Sequence, residues 1–126
     1  MQDKPLILAV DDEPSNLMLI SAALQQNYTL ALAKSAKLAE HFLERKKPSL
    51  ILLDILMPEK DGLAFAEELK KSEETASFPI VFLTGISDSE AREKANLLGA
   101  KAFIEKPINV TTLRNMIDDI FAEIMQ

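Results

Sequence analysis

The sequence predicts an α/β domain, a parallel sheet wrapped by helices on both faces. Three observations lead there. Apolar runs of strand length at 6–10, 50–53 and 80–83 show no alternation, as strands buried on both faces do. Strand-like and helix-like patterns alternate to give five βα units, with connections long enough for parallel crossovers. All six prolines (5, 14, 48, 58, 79 and 107) fall at inferred element edges, none inside a strand or helix.

Taken in order, Pro5 introduces the run Leu6-Ile7-Leu8-Ala9-Val10, which ends in Asp11-Asp12. Pro14 suits a first helical position, and Leu17, Ile20, Ala23 and Leu24 carry helix spacing, with Met18 on the opposite face. Residues 28–33 read as a second, less apolar strand. Ser35 is placed to cap a helix with Leu38/Phe42 and Ala39/Leu43 four apart, closing near the charges at 44–47. The run 50–53 then stops abruptly on Asp54, and Asp61-Gly62 opens a helix with Leu63, Ala66 and Leu69 on one face. The polar run 72–77 is a loop. Pro79 opens Ile80-Val81-Phe82-Leu83, which ends on Thr84-Gly85. Ser87-Asp88-Ser89-Glu90 has the capping-box form, and Gly99 suits a helix stop. Residues 101–105 alternate charged and apolar, as an edge strand should, and Lys106-Pro107 follows. Leu113, Ile117, Ile120, Phe121 and Ile124 form the inward stripe of the last helix.

The 126 residues suit one domain with a sizeable core, and 48% hydrophobic with 27% charged residues is an ordinary globular mixture. A net charge of −6 argues against nucleic acid and against an anionic membrane surface as partners. The absence of cysteine excludes a disulfide framework and a thiolate metal site, and fits a reducing compartment. The opening MQDKPLILAVDDE is not a signal peptide, and no apolar stretch nears membrane-spanning length, so a cytoplasmic location is expected.

Four strand ends carry reactive groups to one rim: Asp11 and Asp12, Asp54, Thr84, and Lys106. Clustered carboxylates raise one another's pKa unless a cation joins them. An all-oxygen acidic set suits a hard divalent ion, and Mg²⁺ is the usual one where phosphate is handled. The inference is phosphoryl chemistry on a carboxylate. Asp54 is the nucleophile, with a metal and Lys106 neutralising the developing charge.

DDEP after the first strand, LLDILMPEKDG around Asp54, FLTG at Thr84 and EKP at Lys106 resemble the receiver domain of two-component response regulators. The likeness covers essentially the whole chain, in the family's order and spacing. It implies a flavodoxin-like (βα)5 sheet of strand order 2-1-3-4-5 and a single receiver domain over 1–126. Asp54 would accept a phosphoryl group from a histidine kinase or phosphotransfer protein. Asp12 would bind Mg²⁺ directly and Asp11 mainly through water, with Asp54 and the Leu56 backbone carbonyl completing the protein ligands. Thr84 and Lys106 would engage the phosphoryl oxygens, and in many members the bond matching Lys106-Pro107 is cis. Phe103 matches the switch aromatic that turns inward as the threonine moves, and Gly85 matches a small residue that keeps the acid approachable. Leu56 and Ile86 flank the phosphoryl site. Both are apolar and unable to orient an attacking water, which implies a phosphoryl-Asp54 lasting minutes rather than seconds. The face at 88–124 is the expected contact for an effector domain, a downstream protein or a phosphorylation-dependent homodimer.

Bland readings accompany the sharp ones. Asp11-Asp12 also suits a solvated helix start, Lys106 a surface lysine, and Phe103 simple packing on the sheet. His41 is a surface helix residue without a role, and Met18 with Leu19 is a candidate partner-docking patch. Two other functions compete with a signalling switch that is not a turnover enzyme. One is a Mg²⁺-dependent phosphatase of the haloacid-dehalogenase type, for which Glu13 stands two beyond Asp11 but no cap domain or second acidic cluster follows. The other is an unphosphorylated interaction module on the same fold.

Overall fold

The computed structural model describes residues 4–85 and 89–124. Five strands alternate with five helices: β1 (Leu6–Val10), α1 (Pro14–Leu24), β2 (Thr29–Ala33), α2 (Ala36–Leu43), β3 (Leu50–Asp54), α3 (Gly62–Lys71), β4 (Ile80–Thr84), α4 (Ser89–Leu97), β5 (Ala102–Glu105) and α5 (Val110–Ile124). They form one sheet of order β2-β1-β3-β4-β5. Every neighbouring pair is parallel.

The missing alternation in β1, β3 and β4 now has its physical reason. Successive side chains point to opposite faces, and each face has its own core. Ile7, Ala9, Leu50, Leu52, Val81 and Leu83 meet Leu17 and Ile20 of α1 and Leu113, Ile117 and Phe121 of α5. Leu8, Val10, Ile51, Leu53, Ile80 and Phe82 meet Ala39 of α2, Phe65 and Ala66 of α3, and Ala91 and Ala95 of α4. Every residue of β3 and β4 is buried. Each Leu or Ile so enclosed is worth about 1.5–3 kcal/mol relative to exposure.

Local signals set the boundaries. Pro14 opens α1, Ser35 caps α2 by accepting from the Leu38 N–H, and Asp61 caps α3 by accepting from the Ala64 N–H. Gly99 adopts φ +84 just beyond α4, a conformation that favours glycine. Asn109, whose side chain accepts from the Thr112 N–H, caps α5.

Some expectations shift. Strand β2 starts at Thr29, and Tyr28 instead packs on Phe121 at 5.0 Å and donates a 2.6 Å hydrogen bond to Asp118. The buried face of α3 is Gly62, Phe65, Ala66 and Leu69, with Leu63 only half-buried. Leu38 is exposed, so α2 buries its alanines. Ile124 is 43% exposed, so the buried stripe of α5 is Leu113, Ile117, Ile120 and Phe121. Ser87 and Asp88 of the capping box lie outside the described residues.

The topology places the site. The chain leaves β1 towards β2 on one side and returns to β3 on the other, opening a crevice at the C-terminal ends of β1 and β3. Strand β4 adds its end beside β3, and β5 brings the next segment to the same rim.

Candidate functional site: an acidic strand-end cluster

The ends of β1 and β3 bring Asp11, Asp12 and Asp54 together, with one carboxylate oxygen of each within 4.8 Å of the others. Asp11 is fully buried. Its Oδ1 accepts from the Glu13 N–H at 2.9 Å and its Oδ2 from the Asn16 side-chain amide at 3.1 Å. Asp12 is half-buried beside it.

Asp54 closes β3 at 2% exposure. Its Oδ1 accepts from Lys106 Nζ at 2.8 Å and from the Leu56 N–H at 3.3 Å. Its Oδ2 is buried and has no hydrogen-bond partner among the described residues. Burial pushes the Asp54 carboxyl up to about 7, a rise that Lys106 opposes and the Asp11 charge reinforces. Burial alone would lower Lys106, but its hydrogen bond to Asp54 and the acids around it carry it above its ordinary value. Nζ of Lys106 is also 3.6 Å from Asp11 Oδ2. The Lys106 N–H donates to the Thr84 carbonyl, and the Lys106-Pro107 bond is cis.

Thr84 is buried at the end of β4, its hydroxyl donating to the Gly85 carbonyl at 3.3 Å. Phe103 pairs in register with Phe82 across β4 and β5. It is half-buried on β5, stacked on Phe82 at 6.1 Å between centroids, with the Arg92 guanidinium 5.4 Å above its ring. Arg92 also ion-pairs with Glu105, the β5 partner of Thr84. Leu56 exposes 69% of its surface beside Asp54, and Ile86 lies outside the described residues.

The donor set fits a hard divalent cation. Three carboxylates cluster with one ammonium close to two of them, and one buried oxygen of Asp54 has no hydrogen-bond partner among the described residues. The loop after β3 is packed closely against the Asp54 backbone. Gly62 N–H donates to the Ile55 carbonyl at 2.8 Å, and a Cβ on Gly62 would lie 2.1 Å from the Asp54 carbonyl oxygen. Lys60 ties the same loop to Glu40 of α2 and Glu68 of α3.

A sequence profile described as the response regulator receiver domain matches residues 7–118. The chain belongs to the response regulator receiver family. This receiver domain is therefore a phosphorelay signalling domain, and the haloacid-dehalogenase alternative finds no support. It is similar to a probable cyclic di-GMP phosphodiesterase of Vibrio cholerae, 36% identical over 111 residues that are 88% of this chain and 25% of that protein. The response regulator Rre1 of Synechocystis is 31% identical, over 92% of this chain and 51% of its own length. The chain thus spans a quarter to half of these relatives. Among solved structures, the receiver domain of NtrX from Brucella abortus matches with TM-score 0.82 and 31% identity, over 90% of this chain and 95% of its own. The chemotaxis protein CheY4 of Vibrio cholerae matches with TM-score 0.85 and 26% identity, over 92% of this chain and 98% of its own. No helix among the described residues is long and apolar enough to cross a membrane.

Two residues of this receiver site carried no functional reading in the sequence. Gly62 reads only as a helix opener, yet its missing Cβ is what lets α3 approach Asp54. Asn16 sits in the first turn of α1, five residues after Asp11, a spacing that can return a side chain to the strand end.

Proposed function

We propose that Asp54 is the phosphoacceptor of a receiver switch, taking a phosphoryl group from a phosphohistidine on a kinase or phosphotransfer protein. The observation that carries this reading is Asp54 Oδ2, a buried, unpartnered carboxylate oxygen beside a lysine and two further acids. In the transfer a carboxylate oxygen of Asp54 bonds to phosphorus as the phosphorus–nitrogen bond breaks, and the imidazole leaves with that bond's electron pair. Lys106 offsets the charge gathering on the phosphoryl oxygens. Asp11, Asp12, Asp54 and the Leu56 carbonyl would hold Mg²⁺, which when bound supplies charge neutralisation for the incoming group.

Thr84 and Phe103 form the switch in this reading. The Thr84 hydroxyl turns to the phosphoryl oxygens, and Phe103 repacks against Phe82 beneath α4, changing the face of α4, β5 and α5 that an effector or a second copy reads. The domain works in the cytoplasm as a phosphoacceptor rather than a turnover enzyme, and residues 1–126 act as one unit. The chain is incubated with acetyl phosphate and Mg²⁺, then mapped by mass spectrometry. A single acid-stable, alkali-labile phosphoryl group on Asp54, absent from Asp54→Asn, is expected. Label elsewhere, or steady turnover of a phosphomonoester, would overturn the reading.

A further inference from the structure

We infer that Arg92 of α4 is a clamp on Phe103 and sets how readily the ring leaves its resting place. Phe103 and Glu105 stand two apart on β5, so their side chains share one face of the sheet. It is the face on which α4 packs, since Phe103 lies against the core that holds Ala91 and Ala95. The Arg92 guanidinium reaches both residues, 5.4 Å above the Phe103 ring and 3.0 Å from Glu105 Oε1. A cation is favoured over an aromatic face, and the carboxylate beside it holds it there. Nη2 of Arg92 makes no aligned hydrogen bond among the described residues, so the pair with Glu105 holds by charge alone.

Little else fastens this helix. The buried residues of α4 are Ala91 and Ala95, whereas α5 buries Leu113, Ile117, Ile120 and Phe121 on the other face. With so small an apolar area beneath α4, the contacts of one long side chain are a sizeable part of what fixes it over β5. Any repacking of Phe103 must break the ring contact. Glu105 is the register partner of Thr84, so the clamp bears on the strand pair that carries both switch residues. Arg92 therefore stabilises the resting arrangement and opposes the switch. It touches no reacting atom and is a positioning residue.

This inference rests on the reading of Asp54 as phosphoacceptor and Phe103 as the moving ring, and its test separates the two. Beryllofluoride, a stable mimic of the phosphoryl group, is titrated at saturating Mg²⁺, and binding is followed by fluorine NMR. A ligand that binds the switched state gains affinity when the resting state is weakened. Arg92→Met keeps an apolar stem and removes the charge. It should bind beryllofluoride about three- to tenfold more tightly than wild type, the factor expected of one half-exposed cation–ring contact and one exposed ion pair. In a Phe103→Leu background the same substitution should change affinity by less than about twofold, because the ring that the clamp holds is gone. A merely structural role for Arg92 predicts the same change in both backgrounds. Arg92→Met affinity within about twofold of wild type, weaker binding, or an equal gain with and without the ring would overturn the inference. Failure of the wild-type chain to bind beryllofluoride would instead sink the phosphoacceptor reading, and this inference with it.

Discussion

Lys106 Nζ lies 2.8 Å from Asp54 Oδ1, a contact between side chains 52 positions apart. It exists because β4 pairs with both β3 and β5, so the segment leaving β5 crosses the end of one intervening strand to reach the acid. Lys106→Met keeps much of the side-chain length and removes the charge. Phosphorylation of Asp54 by acetyl phosphate should slow by about a hundredfold, the usual effect of deleting one donor aimed at developing charge. Single-turnover labelling at saturating Mg²⁺ checks this, and a loss under threefold would mean that the lysine is not used.

The raised Asp54 carboxyl makes the metal-free protein sensitive to pH. With the folded value near 7 and the ordinary value at 3.8, the native state holds a proton that the unfolded chain releases between those limits. Where the native state binds more protons, stability falls as pH rises. Metal-free protein should therefore be most stable near pH 4, weaken towards pH 7 and level off above it, as far as this group is concerned. Asp54→Asn should remove that part of the slope. Urea midpoints of both proteins in chelator across this range provide the comparison. Parallel curves would show that Asp54 is not the group responsible.

Gly62→Ala tests how closely α3 presses on the acid. The added Cβ would meet the Asp54 carbonyl oxygen at 2.1 Å, its carbon at 2.9 Å and the Ile55 Cα at 3.0 Å. All three are backbone atoms, so the loop must move rather than a flexible side chain. The expected cost is about 1–3 kcal/mol of stability, as in other overpacked positions, together with weaker beryllofluoride binding. Denaturant melts and the beryllofluoride titration measure the two effects. Unchanged stability would mean that the loop yields freely.

The central strands were legible because burial on two faces leaves a run of apolar residues that no half-exposed strand needs. The acids were legible because they stand directly after such runs, whereas Lys106 follows an alternating edge strand and was legible through its place beside Pro107. Other features were hidden for physical reasons. On α3 the series 63, 66, 69 and the observed 62, 65, 66, 69 both fit a helical stripe, and a glycine pressed against backbone leaves no hydropathy signal. Asn16 looks like an ordinary polar residue of a first helical turn, because only the fold reveals that Asp11 lies above it. Tyr28 and Asp118 are 90 positions apart, and no local pattern couples them.

Met18 is 71% exposed on α1 and lines a shallow apolar depression with Pro14, Leu17 and Leu32, on the helix that follows the Asp11–Asp12 turn. If a protein phosphodonor seats there, Met18→Glu should lower kcat/KM for transfer from that partner by about tenfold, the effect of losing a modest interface anchor. Labelling by acetyl phosphate, which needs no docking surface, should be unaffected. Equal loss with both donors would place the defect in the site itself and remove the patch from consideration.

Leu56 is expected to set how long a phosphoryl group on Asp54 survives. Its backbone N–H reaches Asp54 Oδ1 at 3.3 Å, while its side chain is exposed at the mouth of the site. Hydrolysis of an acyl phosphate needs a water held in line with phosphorus, and an isobutyl group offers that water no hydrogen bond. Leu56→Asn puts an amide of similar size at the same point. Positioning the water should shorten the lifetime of phosphoryl-Asp54 by about tenfold or more, since small changes in attack geometry weigh heavily on rate. The exposed position predicts little change in folding stability, so the two effects separate. Loss of label is followed after rapid removal of acetyl phosphate, with Mg²⁺ present and no phosphatase. A wild-type lifetime of seconds, or an unaltered lifetime in Leu56→Asn, would mean that water reaches phosphorus by a path this side chain does not control.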